Sequence, residues 1–202
     1  MNYQLLGKLP ESTIEFFLEE ILKRKVSDKP YQWIHFDNYL NSKFLEIFKN
    51  TELSVQWAQS GQRPIQKALY SDPSHGFRIH KDGTQCKSAM NIALSCNTGD
   101  WVRWYDEDYI NKIGSVEILD DPRGSSRDVD IYEYEDIPYV QQENPQCGEV
   151  YLVNTDVYHS FKCNGNSPRI IIQTKFAGYP DFNTIRSSLM STSFDNLIKN
   201  NE

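Results

Sequence analysis

The chain has no surplus of positive charge. Lys and Arg number 21 against 28 Asp and Glu, a net charge of -7, so the broad basic footprint of a nucleic-acid binder is absent. No apolar run approaches the ~20 residues of a membrane span. The opening stretch Met1 to Lys8 lacks a charged segment followed by a long apolar one, so no secretory signal is expected. Cysteine is scarce. Cys86, Cys96, Cys147 and Cys163 show no C-x-x-C spacing, which argues against a zinc site or a disulfide framework and for free thiols in a reducing cytoplasm. There is no internal repeat and no low-complexity tract. No elbow or oxyanion motif surrounds Ser160 to make it a nucleophile.

What is present suits a core built partly from rings. Hydrophobic residues make up 39% of 202 residues and aromatics 13%, enough for one domain over 1–202 with a sizeable core. The N-terminal part of that domain reads as helical, about residues 10–50. Ile14, Phe17, Leu18, Ile21 and Leu22 form a stripe at helical spacing over 12–24. Ser12 and Glu15 fit a capping box, and Lys23, Arg24 and Lys25 suit the negative end of the dipole. After a short strand at Trp33 to Asp37, Asn38 or Asn41 is expected to cap a second helix running to about 49, with Leu40, Phe44, Leu45, Ile47 and Phe48 buried.

From about 53 to 177 the texture is strand after strand. Short strands are expected at 53–57 and 66–70, then at 76–82, 88–96, 101–105, 113–119, 129–135, 148–154, 157–163 and 168–176. Turn signals separate them at Asp82-Gly83, Asn97 to Asp100, Asp121 to Gly124 and Asn164 to Asn166. Asn164-Gly165 reads as a tight hairpin turn that sets the strand of Arg169 beside that of His159. Asp120 to Asp128 reads as a polar loop. Many short strands with few helices between them predict an antiparallel sandwich or jelly-roll barrel. A helical tail follows Pro180, anchored by Ile185, Leu189, Leu197 and Ile198.

His80 and Asp82 are two apart, so on a regular strand they share one face. Simple alternation sets Arg78, His80 and Asp82 on that face and Phe77 and Ile79 on the other. His159, opening a later strand, is the best third ligand. Two His and one carboxylate on one face of an octahedral ion leave the other face open, which suits non-haem Fe(II). A second H-x-D, His35 and Asp37, lies outside the strand-rich region and is the accidental copy. His75 is expected at the surface. Arg169 begins the apolar run Ile170 to Ile172; a guanidinium that faces inward there needs an anion, such as a carboxylate held in a bidentate grip.

His80-x-Asp82, His159 and Arg169 together resemble the signature of the 2-oxoglutarate and Fe(II)-dependent oxygenases, over roughly residues 76 to 177. The resemblance implies a double-stranded β-helix, a jelly-roll core of cupin-like type flanked by helices. It implies iron on His80, Asp82 and His159, with Arg169 on the far carboxylate of 2-oxoglutarate and O2 as the oxidant. It also implies hydroxylation with release of succinate and CO2. The Gly148-Glu149 strand and the spacing from His159 to Arg169 look like the prolyl-hydroxylase and aspartyl/asparaginyl-hydroxylase branches. The serine or threonine often found two positions after the arginine is Ile171 here, so a second co-substrate anchor must come from elsewhere; Asn91, Tyr158, Ser160 and Gln173 are the candidates. The Arg-x-Asn-x-x-x-Arg pattern of the nucleic-acid demethylases is not met, since Ile171 and Lys175 replace its last two members. The expected partner is therefore a small-molecule or peptidyl, amino-acid-like substrate, with neither nucleic acid nor membrane. The alternative is a cupin-like metal- or ligand-binding module without catalysis.

Overall fold

The computed structural model describes residues 1–26, 29–48, 66–73, 75–82, 86–113, 116–121, 124–129, 136–176 and 180–190. Two six-stranded antiparallel sheets face each other. Strand β1 (Tyr3–Lys8), helix α1 (Glu11–Lys23), β2 (Tyr31–His35) and α2 (Asn38–Phe48) come first. They are followed by β3 (Gln66–Ser71), β4 (Gly76–Lys81), β5 (Ser88–Ser95), β6 (Trp101–Trp104) and α3 (Glu107–Ile113). Then come β7 (Val116–Asp121), β8 (Gly124–Val129), β9 (Gln141–Glu143), β10 (Glu149–Asn154), β11 (His159–Lys162), β12 (Arg169–Lys175) and α4 (Phe182–Met190). The major sheet has the order β1-β10-β5-β12-β3-β2 and the minor sheet β7-β8-β4-β11-β6-β9. This is the double-stranded β-helix that the strand pattern predicts.

Alternation explains the layers. On β5, Met90, Ile92 and Leu94 point to the outer face of the major sheet, where Phe17, Ile21, Phe44 and Phe48 of the first two helices cover them. Ala89 and Ala93 point inward and meet Val102, Trp104 and Phe161 of the minor sheet. Small side chains on one wall opposite rings on the other leave room between the sheets. The outer face of the minor sheet is closed by Ile79, Trp101, Tyr105 and Tyr158 against Ile110 of α3.

Several local expectations are corrected. Helix α1 begins two residues earlier than the capping box required: Pro10 occupies the cap and no side chain caps the end. Helix α2 is capped by Asp37, whose carboxylate accepts the Leu40 N–H at 2.8 Å, rather than by Asn38 or Asn41. Residues 120–128 are largely strand, because β7 and β8 pair with each other and β8 continues onto β4. Backbone pairing prevails there over polar side chains. The expected strands at 53–57 and, beyond residue 129, at 129–135 lie outside the described residues, as do Leu197 and Ile198.

The largest correction concerns Asn164-Gly165. Strands β11 and β12 belong to different sheets, so the connection crosses the barrel and forms no hairpin. Gly165 has no positive φ; Gly148 alone does among the described residues. Glycine is required at 165 by crowding, since a Cβ there would collide with the Asn97 side chain.

Candidate metal centre

Strand β11 lies between β4 and β6, with His159 opposite both His80 and Trp104. That register sets the two imidazoles side by side, ring centroids 4.3 Å apart. Asp82 leaves the end of β4, and its N–H donates to the Thr155 carbonyl at 3.0 Å. Its carboxylate Oδ1 then lies 3.6 Å from His80 Nε2. One ligand atom from each of His80, Asp82 and His159 falls within 4.8 Å of the others. Three side chains from two distant stretches of sequence thus converge on one point.

The ring orientations are fixed. His80 Nδ1 is 2.9 Å from the Arg78 carbonyl and His159 Nδ1 is 2.9 Å from the Val157 carbonyl. A carbonyl only accepts, so each Nδ1 carries the proton and each Nε2 presents a lone pair. Burial, reinforced by His80, pushes the His159 imidazole down to about 4, and burial lowers His80 as well despite Asp82 beside it. Burial raises the Asp82 carboxyl, but His80, His159 and Lys175 outweigh it and hold the group below the usual range. At neutral pH the cluster is two neutral imidazoles and one carboxylate. This donor set fits a divalent transition ion with part of its coordination sphere open.

Alternation on β4 is broken. The pairing with β11 slips between His159 and Phe161, a bulge that sets Phe77 opposite Phe161. The Phe77 ring lies 4.7 Å from the His80 ring and stacks on Phe161 at 5.8 Å. Phe77 therefore shares the interior with His80, contrary to the strict two-residue period, and shields the imidazoles from water.

Arg169 stands on the opposite wall. It is 2% exposed, and its guanidinium carbon sits 4.7 Å from the centre of the Phe161 ring. No carboxylate among the described residues forms an ion pair with it. Orphaned polar atoms surround it on the same inner face. Ser71, its register partner on β3, has an unpartnered Oγ. The Tyr151 hydroxyl is buried beside Asn91 and Arg169, which both draw on it, but neither it nor Asn91 Oδ1 has a partner at full hydrogen-bond geometry. Burial pushes the Tyr151 phenol up to about 12. Burial likewise raises the Tyr31 phenol, with Asp82 adding to the rise and Arg169 opposing it; Tyr31 is the register partner of Ser71 on β3. A buried cation ringed by unsatisfied donors and acceptors is costly unless an anion completes it.

Of the four candidate second anchors, two face this space. Asn91 and Gln173 are register partners on β5 and β12. Tyr158 and Ser160 do not. Each flanks His159 in sequence and so points to the opposite face of β11. The Tyr158 hydroxyl donates to Asn111 at 3.1 Å, and the Ser160 hydroxyl pairs with Tyr105 at 2.7 Å. Tyr31, Ser71 and Tyr151 went unnoticed because their sequence context is that of ordinary strand residues; strand register alone reveals them. His35 is exposed, and Asp37 serves as helix cap and as partner of Arg24 at 2.8 Å. His75 is half-buried rather than superficial, its ring 5.2 Å from that of Tyr31. All four cysteines are free thiols.

No protein-family model matches the chain, and no curated protein matches its sequence. Solved structures do match its fold. HygX from Streptomyces hygroscopicus, crystallised with nickel and 2-oxoglutarate, is 10% identical with a TM-score of 0.58, covering 90% of this chain and 85% of that one. The epimerase SnoN, in complex with Fe3+, alpha ketoglutarate and nogalamycin RO, is 11% identical with a TM-score of 0.57, covering 87% and 78%. A prolyl-4-hydroxylase from Pseudomonas putida is 11% identical with a TM-score of 0.53, covering 87% and 92%. The chain thus has the jelly-roll fold of these enzymes. Among the described residues no helix is long and apolar enough to cross a membrane.

Proposed function

We propose that the protein is an Fe(II)- and 2-oxoglutarate-dependent oxygenase. The observation that carries this reading is the pair of Nε2 lone pairs converging with Asp82 across the barrel from a buried, uncompensated Arg169. HygX, SnoN and the prolyl-4-hydroxylase, which share the fold, support it, the first two being complexes with 2-oxoglutarate or alpha ketoglutarate.

His80, Asp82 and His159 would hold the iron. Bound there, iron with O2 and 2-oxoglutarate supplies the oxidising power, and the diacid leaves as succinate and CO2. Arg169 neutralises and orients the carboxylate of 2-oxoglutarate remote from the keto acid. Ser71, Tyr151 and Tyr31 offer hydroxyls around that carboxylate, and Asn91 and Gln173 flank it. These groups take the place of the missing serine or threonine at Ile171. Phe77, Phe161 and Trp104 line the interior and exclude water from the reacting centre. Hydroxylation of an amino-acid-like or peptidyl group, in the manner of the prolyl- and asparaginyl-hydroxylases, is the outcome we favour. We favour a cytoplasmic setting, a reading that the four free thiols support.

Anaerobic addition of Fe(II) and 2-oxoglutarate should give a visible charge-transfer band. The band is expected to vanish in His159→Ala and to need more 2-oxoglutarate in Arg169→Met. A wild-type protein that binds metal but shows no band would instead be a cupin-like binding module.

A further inference from the structure

Strand β12 runs from the buried Arg169 to Lys175 without a break in its pairing to β3, in register from Arg169 opposite Ser71 to Thr174 opposite Gln66. Its inner face therefore presents Arg169, Ile171, Gln173 and Lys175 in turn. Ile171 packs between the sheets and Arg169 lies on Phe161, which confirms that parity. Lys175 is the last of the four, half-buried, opposite Ala89 of β5. Ala89 is opposite Val153, and Thr155, two residues on, accepts the Asp82 N–H. Lys175 thus belongs to the end of the barrel that carries Asp82.

A second lysine shares this face. Lys67 is the register partner of Gln173, which makes it a diagonal neighbour of Lys175, with Cβ atoms about 7–8 Å apart or a little less in such pairs. The Lys67 ammonium rests on the Trp33 ring, 3.4 Å from its centre, and Trp33 belongs to the inner aromatic lining. Like charges on one face of adjacent strands repel. In a chain of net charge -7, a half-buried Lys175 beside a second lysine needs a reason. Lys175 has no carboxylate within ion-pair distance among the described residues. The field it exerts reaches Asp82 and Cys86.

We propose that Lys175, with Lys67 beside it, binds an anionic group of the primary substrate at the mouth of the metal centre. The substrate is then an oxyacid, bearing a carboxylate or a phosphoryl or sulfo group, with an apolar part to lie on Trp33. This inference rests on the metal centre and co-substrate site proposed above, whose own anion is held at the other end of β12 by Arg169. Two anion sites on one strand face, three steps apart in the alternation, keep co-substrate and substrate from exchanging places.

The test uses the anaerobic full-length protein with Mn(II) and saturating 2-oxoglutarate. Metal uptake is measured first by calorimetry and decides the metal reading separately. Sodium sulfate and sodium acetate are then titrated at constant ionic strength as probes of the two oxyacid classes. Saturable binding of at least one is expected in the wild type, at least tenfold weaker in Lys175→Met and restored in Lys175→Arg, with metal uptake kept in both variants. Weakening in Lys67→Met gives the second lysine its share. Stronger sulfate binding points to a phosphoryl or sulfo substrate, and stronger acetate binding to a carboxylate. No saturable binding of either anion to metal-loaded wild type, or equal binding in Lys175→Met, overturns the proposal. A wild type that takes up no metal overturns the metal reading and, with it, this extension.

Discussion

The guanidinium of Arg169 lies over the Phe161 ring, 4.7 Å from its centre, across the space between the two sheets. Phe161 is two residues from His159 on the same face of β11, so this contact ties the wall of Arg169 to the wall that carries His80 and His159. Arg169 has no anion of its own among the described residues. Replacing it with methionine keeps the bulk and removes a buried unpaired charge. The metal-free, ligand-free Arg169→Met protein should be more stable than wild type by about 1–3 kcal/mol in urea unfolding. The rise in melting temperature produced by metal and 2-oxoglutarate should be largely lost. A variant less stable than wild type would mean that Arg169 is already compensated.

Stability of the metal-free protein should depend on pH through His159. Its folded value, about 4, is below the ordinary 6.5 of an unfolded imidazole. Between those values the unfolded chain binds the extra proton, so stability rises with pH in that window. It should therefore be full above pH 6.5 and fall progressively toward pH 4, by up to about 3 kcal/mol from this residue. Urea unfolding at pH 7.5, 5.5 and 4.5 measures it. His159→Gln should flatten the slope; identical slopes in both proteins would remove the burial argument.

Ser160 and Tyr105 close a hydrogen bond on the outer side of the minor sheet, away from the metal cluster. Tyr105→Phe leaves the buried Ser160 hydroxyl without its partner and should cost about 1–2 kcal/mol. The concentration of 2-oxoglutarate giving half the charge-transfer band should stay within twofold of wild type in Ser160→Ala and in Tyr158→Phe. A tenfold rise in either would return these residues to the co-substrate site.

Gly165 faces Asn97, whose side chain donates to the Ser167 carbonyl at 2.8 Å and to Asp100 at 3.2 Å. A methyl at 165 displaces that amide and loosens the crossing between the sheets. Gly165→Ala is expected to destabilise by about 1–3 kcal/mol. Because the cause is crowding rather than backbone conformation, Gly165→Ala combined with Asn97→Gly should recover part of the loss. A strained positive φ would give no such recovery.

The jelly roll was readable because its strands are short apolar runs set off by sharp turn signals, as at Ser88 to Ser95 and Glu149 to Asn154. The convergence of His80, Asp82 and His159 was readable because metal ligands are chemically rare residue types at fixed spacing. What escaped depends on partners distant in sequence. β8 is a strand only because β7 and β4 lie on either side of it. Phe77 faces inward only because of a slip against β11. Tyr31, Ser71 and Tyr151 join Arg169 through register in a sheet whose order is not the order of the chain. The β11–β12 connection misleads for the same reason. Asn-Gly favours a tight turn locally, but a choice between pairing with a neighbour and crossing to another layer is settled by the whole barrel.

That crossing has a further effect. With His159 on one wall and Arg169 on the facing one, the reach between them is set by the thickness of the sandwich, about 10 Å between stacked sheets. Sheet separation is among the stiffest dimensions of a protein, since shifting it disturbs every packed pair at once. The barrel is in this sense a calliper: under the proposed function, a diacid one carbon too short would be held at its metal end or at its arginine end, but not at both.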